Sequence, residues 1–132
     1  MIDHTGIIVA DFARSRAFYA TALAPIGYAA LVELAPEVTG STSVAGFGEA
    51  PKPDFWIAGA TPARPVNVPA LHVAFRVATR TMVDAFYHAA IAAGGTDNGA
   101  PGLRPHYHPH YYGAFVLDPD GHNIEAVCHE PV

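Results

Sequence analysis

Lysine occurs once in this sequence, at Lys52, and cysteine once, at Cys128. With a formal charge of -5 and a single lysine, no basic patch is available to neutralise a phosphate backbone, which argues against a nucleic-acid partner. One cysteine rules out an intrachain disulfide and fits a reducing compartment. No apolar run approaches the ~20 residues of a membrane span, and the opening MIDHTG lacks a charged segment followed by an apolar one. The expectation is a cytoplasmic protein without a membrane partner. A chain of 132 residues is of single-domain size and can bury roughly two thirds of its unfolded surface.

What the sequence does contain is a repeat. His4 opens HTGIIVADFARSRAFY and His72 opens HVAFRVATRTMVDAFY, with Val9 and Val77, Phe18-Tyr19 and Phe86-Tyr87 in register without a gap. Ile2 to Ala10 is rich in Ile and Val and reads as a strand, followed by Asp11 as N-cap of a helix to about Ala24. Leu71 to Val77, Thr79 and a helix from Arg80 to Ala93 repeat that grammar, stopping at Gly94-Gly95. Shorter extended pieces follow: Tyr28 to Leu34, Ser41 to Phe47 and Asp54 to Ala58, then Tyr111 to Leu117 and Asn123 to Cys128. The expected architecture is α+β, a single domain over 1-132 of two tandem βαβββ modules, about 1-58 and 70-129. A Pro-rich connector, 59-69, joins them, and Asp118-Pro119-Asp120-Gly121 reads as a tight hairpin turn.

Side chains alternate across a strand, so parity sorts the candidate ligands by face. Thr5, Ile7 and Val9 share one face and Val73, Phe75 and Val77 the corresponding one, apolar enough to lie under a helix. His4 and His72 then point to the opposite, helix-free face. In the last strand Ile124, Ala126 and Cys128 form the apolar set, which puts Glu125 on the helix-free face too. A slip of one residue in any of these strands would have buried its ligand under a helix. Two imidazoles and one carboxylate form a facial set that leaves positions open for two vicinal oxygens of a substrate or for dioxygen. Such a set suits Fe2+ or Mn2+, and Zn2+ where the geometry is tetrahedral. Against this stands the ordinary fate of a strand histidine, a satisfied polar residue.

The repeated βαβββ unit, the histidine early in each first strand and the ending FVLDPDGHNIEAV resemble the vicinal oxygen chelate superfamily of glyoxalases, extradiol dioxygenases, fosfomycin-resistance transferases and bleomycin-binding proteins. The resemblance covers essentially the whole chain. It implies curved mixed sheets paired around a concave metal-binding cleft, with His4, His72 and Glu125 at the family's ligand positions. The fourth family position, around Phe55 to Ile57, holds no ligand here, which is closer to the three-ligand dioxygenases and thiol transferases than to four-ligand glyoxalases. Small members are often homodimers, and the connector is long enough for the cleft to be built within one chain or shared between two.

The segment Gly99 to Tyr112, GAPGLRPHYHPHYY, is expected to be an irregular loop over the cleft mouth. It supplies candidates for proton transfer, His106 and His108, an oxyanion donor, Tyr112, and substrate contacts, Arg104 and Tyr107. Arg76, on the ligand face, could meet an anion, and Trp56 could line an apolar wall. Incidental surface histidines or a subunit interface would read the same way. His88 and His129 are expected to be solvated, and Cys128 a buried small hydrophobe. Two function classes follow. One is a metal-dependent, dioxygenase-like or lyase/isomerase-like enzyme acting on a small oxygenated substrate. The other is a metal-free small-molecule or antibiotic-binding protein that uses the same cleft, although histidine, tyrosine and arginine suit a cationic drug poorly.

Overall fold

A computed structural model describes all of residues 1-132. The first module runs β1 (Thr5–Val9), α1 (Phe12–Ala22), β2 (Ala29–Leu34), a one-turn helix α2 (Pro36–Thr39), β3 (Val44–Glu49) and β4 (Lys52–Gly59). The second runs β5 (His72–Arg76), α3 (Arg80–Ala92), β6 (Thr96–Leu103), β7 (Tyr112–Leu117) and β8 (Asn123–Cys128). The two four-stranded sheets share one order, β1-β4-β3-β2 and β5-β8-β7-β6, with the first pair parallel and the others antiparallel. The fold is α+β, two tandem modules of mixed sheet, and the sheets do not close into a barrel.

Both long helices start where the sequence signals them. The Asp11 carboxylate accepts from Arg14 N and the Thr79 hydroxyl from Met82 N, each satisfying an amide that the first turn leaves without a partner. One cluster of 21 buried residues runs through both modules. It includes Ile7, Val9, Phe75, Val77, Ile124, Ala126 and Cys128, the faces assigned to the helices by parity. Phe55 and Phe75 meet edge to face across the module boundary at 5.3 Å. Each fully buried Phe contributes on the order of 1.5–3 kcal/mol by removing apolar surface from water, so this shared core is the main tie between the modules.

Polar contacts reinforce that tie through the turn after β7. Asp118, buried, accepts from the backbone amides of Asp120 and His122 and from the hydroxyl of Tyr19 on α1. His122 is fully buried, its Nδ1 accepting from Leu71 N at 2.9 Å, which leaves Nε2 to carry the proton and donate to the Ile8 carbonyl at 3.3 Å. Asp120 accepts from Ala10 N at 3.2 Å. The second module's terminal turn is thus bonded to the first module's β1 and α1.

One element departs from the sequence expectation. Thr96–Leu103 is a strand although it reads TDNGAPGL, and its last five residues fall in the segment expected to be loop. It lies at the sheet edge and pairs only with β7, with register shifts between Asp97 and Gly99 and between Gly99 and Gly102. An edge strand needs hydrogen bonds on one side only, so Pro101 and the bulges are tolerated where an interior strand would not form. The irregular loop over the sheet is correspondingly short, Arg104 to Tyr111. The short helix α2 was likewise not signalled by periodicity.

Candidate functional site

The helix-free face of the second module gathers the donors. His72 on β5 and Glu125 on β8 point the same way, with His72 Nε2 at 2.9 Å from Glu125 Oε1. Glu125 is almost fully buried, 1% exposed, whereas the His72 side chain is half exposed. The other carboxylate oxygen accepts from the Tyr111 phenol. Burial, and then this hydrogen bond, push the Tyr111 hydroxyl well above the ordinary phenol range, so it is a protonated donor at neutral pH. Gly113 permits the arrangement: a Cβ there would lie 3.1 Å from the Tyr111 ring and 3.2 Å from Glu125 Oε2. His108 Nε2 meets His129 Nδ1 at 2.7 Å with the rings stacked, an arrangement in which one nitrogen donates and the other accepts. His72, Tyr107, His108, Tyr111, Phe115, Glu125 and His129 line a cavity of about 390 Å3.

His4 stands elsewhere. Its Nδ1 bonds Asp3 at 2.6 Å, and Asp3 in turn accepts from Lys52 at 3.2 Å. The His4 and Lys52 hydrogen bonds hold the Asp3 carboxyl below its ordinary value. His4 lines the largest cavity, about 650 Å3, on the helix-free face of the first module, together with Ile8, Lys52, Trp56, Arg64 and Asn67. It also shares with His72 a smaller cleft of about 350 Å3 between β1 and β5, but Glu125 is not part of either cavity. Within one chain no three imidazole, carboxylate or thiol groups stand close enough to hold a metal ion. Two donors of the expected trio are together and the third is not.

The remaining candidates divide in the same way. His108 and Tyr107 line the Glu125 cavity, while His106 is exposed, its ring tilted against that of Tyr107 with centroids 4.2 Å apart. Tyr112, expected as the oxyanion donor, instead donates to Asp84 on α3 at 2.7 Å. Arg104 lies over the Phe115 ring at 5.5 Å and donates to the Ala100 carbonyl, and Arg76 is largely exposed beside Glu130 at 3.9 Å. Neither arginine lines the Glu125 cavity or the Trp56 cavity. Trp56 forms a wall of the first module's cavity. Tyr111 is not among the candidates singled out above, although strand parity contains it: Tyr111, Gly113 and Phe115 alternate on the side of Glu125, which pairs with Phe115. His129, expected to be solvated, packs against His108.

Register supplies the relation between the modules. Ala74 pairs with Glu125 on β8 and, at the same repeat position, Gly6 pairs with Trp56 on β4. Trp56 therefore occupies the place in the first module that Glu125 occupies in the second.

The sequence profile described as Glyoxalase/Bleomycin resistance protein/Dioxygenase superfamily matches residues 1–126. No curated protein matches the sequence. Among solved structures, a glyoxalase/bleomycin resistance protein from Albidiferax ferrireducens superposes with a TM-score of 0.76 at 25% identity, covering 97% of this chain and 98% of that one. A glyoxylase/bleomycin resistance protein/dioxygenase domain from Frankia gives 0.71 at 17% identity, covering 98% of each. A mutant of glyoxalase I from Zea mays gives 0.69 at 22% identity, covering 96% of this chain and 46% of that one.

Proposed function

The chain belongs to the Glyoxalase/Bleomycin resistance protein/Dioxygenase superfamily, and from that premise we propose that it is a metal-dependent enzyme of the glyoxalase/dioxygenase type acting on a small oxygenated substrate at a His4, His72, Glu125 site. One observation carries the reading. His72 Nε2 and Glu125 Oε1 converge at 2.9 Å on a buried carboxylate, and the repeat puts a second histidine, His4, at the matching position of a separate cavity. The donors fit a divalent ion in chemistry, two imidazole nitrogens and a carboxylate oxygen. Since one chain brings only two of them together, the reading requires a homodimer in which one subunit supplies His4 and its partner His72 with Glu125. When bound, Fe2+, Mn2+ or Zn2+ would supply a Lewis acid to paired substrate oxygens.

The chain's own groups have separable tasks in this reading. Tyr111, protonated at neutral pH, gives its single hydroxyl proton to Glu125 and so orients that carboxylate. His108 holds or passes a proton along its 2.7 Å contact with His129. Tyr112 has no part in it, because its hydroxyl is committed to Asp84, while His106 is exposed beside the ring of Tyr107.

A mixing experiment tests the shared site. His4→Ala and His72→Ala chains should each lose stoichiometric metal. Co-refolded, they should regain about a quarter of the sites, since each mixed dimer restores one intact His4, His72, Glu125 set. No recovery on mixing, or full metal in either single variant, would refute it.

A metal-free binding protein is the second reading. It is favoured by the fact that both Glu125 oxygens already have partners within the chain, His72 and Tyr111, and that the largest cavity is walled by a tryptophan. Ligand affinity unchanged by chelation, with no turnover, would establish it.

A further inference from the structure

The first module's cavity has a wall and a charge that the metal chemistry does not use. Trp56 lies flat on the sheet. A Cβ built on Gly46, its neighbour on β3, would stand 2.8–2.9 Å from the three consecutive ring carbons Cζ2, Cη2 and Cζ3. Near-equal distances to three adjacent ring atoms require that the indole present its face, not its edge, to Gly46. The glycine is therefore what lets the ring lie down, and the opposite face of the ring is left toward the cavity, where Trp56 is only partly buried.

Arg64 supplies the charge. The sequence has seven Lys and Arg residues, and six of them have side-chain partners. Arg14 has Asp120, Arg16 has Glu33, Lys52 has Asp3 and Arg76 has Glu130. Arg80 donates to the Pro131 carbonyl, and Arg104 to that of Ala100. Arg64 alone has none; it bonds only through its backbone, within the Thr61 turn of the connector. It lines the same cavity as the Trp56 ring, and so does Asn67, whose Oδ1 accepts from Ile8 N and whose amide nitrogen is left without a protein partner. A flat apolar surface and an unpaired guanidinium fork in one cavity of about 650 Å3 complement a planar apolar group that bears a carboxylate.

We propose that this cavity binds aromatic carboxylates, the ring stacked on Trp56 and the carboxylate held by Arg64. The inference rests on the reading of these concave faces as a small-molecule site, but not on the metal. Trp56 is the single tryptophan, so its emission reports on this cavity alone. The full-length protein, stripped of metal with a chelator, would be titrated with benzoate, benzamide and benzylammonium. Binding would be followed by tryptophan fluorescence and by ligand-observed saturation-transfer NMR.

Saturable binding of benzoate, about tenfold weaker for benzamide and absent for benzylammonium, is expected from a charge-assisted contact at Arg64. Arg64→Gln, in an exposed connector, should weaken benzoate about tenfold and leave benzamide unchanged. Gly46→Ala should weaken both, with circular dichroism showing the fold retained. Equal binding of benzoate and benzamide, a preference for benzylammonium, or no saturable response to any of the three by either method overturns the proposal. So does an Arg64→Gln variant that binds benzoate as well as the parent. Because the titration is done without metal, its failure is distinct from failure of the mixing experiment.

Discussion

Across the middle of the first module's open sheet face the residues run Gly6, Trp56, Gly46; across the same row of the second they run Ala74, Glu125, Phe115. The backbone is the same and the chemistry is exchanged. In the second module a carboxylate sits in the central position, with Phe115 beside it. In the first the aromatic ring occupies the centre and a glycine leaves room for it to lie down. The helices show a parallel divergence at one repeat position: Tyr19 is fully buried and donates to Asp118, while Tyr87 is partly exposed and donates to Asp97. The duplicated unit thus fixes where side chains stand, and each copy sets its own chemistry at the central position, an indole in one and a carboxylate in the other. A two-module fold can divide recognition and chemistry between its halves in this way, without changing the backbone.

The largest effect expected from breaking this division is on metal content. Glu125→Gln should abolish stoichiometric binding, because it removes the anionic donor from the buried end of the His72 pair. Trp56→Leu, at the equivalent position, should leave it intact. Metal analysis of the two purified variants decides, and equal loss in both would mean that the modules are not divided as argued.

Next comes the tyrosine pair. Tyr19→Phe leaves a buried carboxylate without one of its donors and should cost about 1–3 kcal/mol, whereas Tyr87→Phe should stay within about 0.5 kcal/mol. Burial, then the charge of Asp118, raise the Tyr19 pKa well above 10.0. A raised folded pKa means that the neutral phenol's contribution is complete below the unfolded value and declines as pH rises past it. The stability gap between parent and Tyr19→Phe should therefore be flat to about pH 10 and narrow above that, as read by denaturant melts at several pH values. A gap that widens with alkali would contradict the assignment.

The smallest effect is at the surface. Arg16 on α1 pairs with Glu33 on β2 through Nε and a terminal nitrogen, which raises the Arg16 pKa and lowers that of Glu33. Both groups are well exposed, so Arg16→Ala should change stability by no more than about 0.5 kcal/mol and less in high salt. A larger loss would mean that the first module's outer edge is less independent of its core than the second's.

The parts of this arrangement that were legible in sequence are those that depend on period two and on register. The helix-facing sets and the shared face of His72 and Glu125 followed from strand alternation, because a half-buried sheet punishes a slip of one residue. Pro and Gly hid β6, since composition penalises a strand interior but not an edge that bonds on one side. Tyr111 was within reach of the same parity that found Glu125. Arg64 was not, because its place depends on how an aperiodic connector folds back. The absence of a third donor near His72 could not be read from one sequence at all. Strand alternation fixes the face a residue takes and carries no information on how two sheets are set against each other.

The turn from Asp118 to His122 sets the timetable on which the molecule can be completed. The hydroxyl of Tyr19, the amide of Ala10 and the carbonyl of Ile8 find partners 99, 110 and 114 residues later in the chain. During synthesis the first module leaves the ribosome with these groups unmatched and with Phe55 lacking its cross-boundary neighbour Phe75. It can collapse, but a buried hydroxyl and carbonyl without partners oppose its settling. Commitment of the two modules to their native state thus waits until the turn from Asp118 to His122 has been translated, and a ribosome stalled in the connector would present a first module prone to capture by chaperones or by other nascent copies of itself.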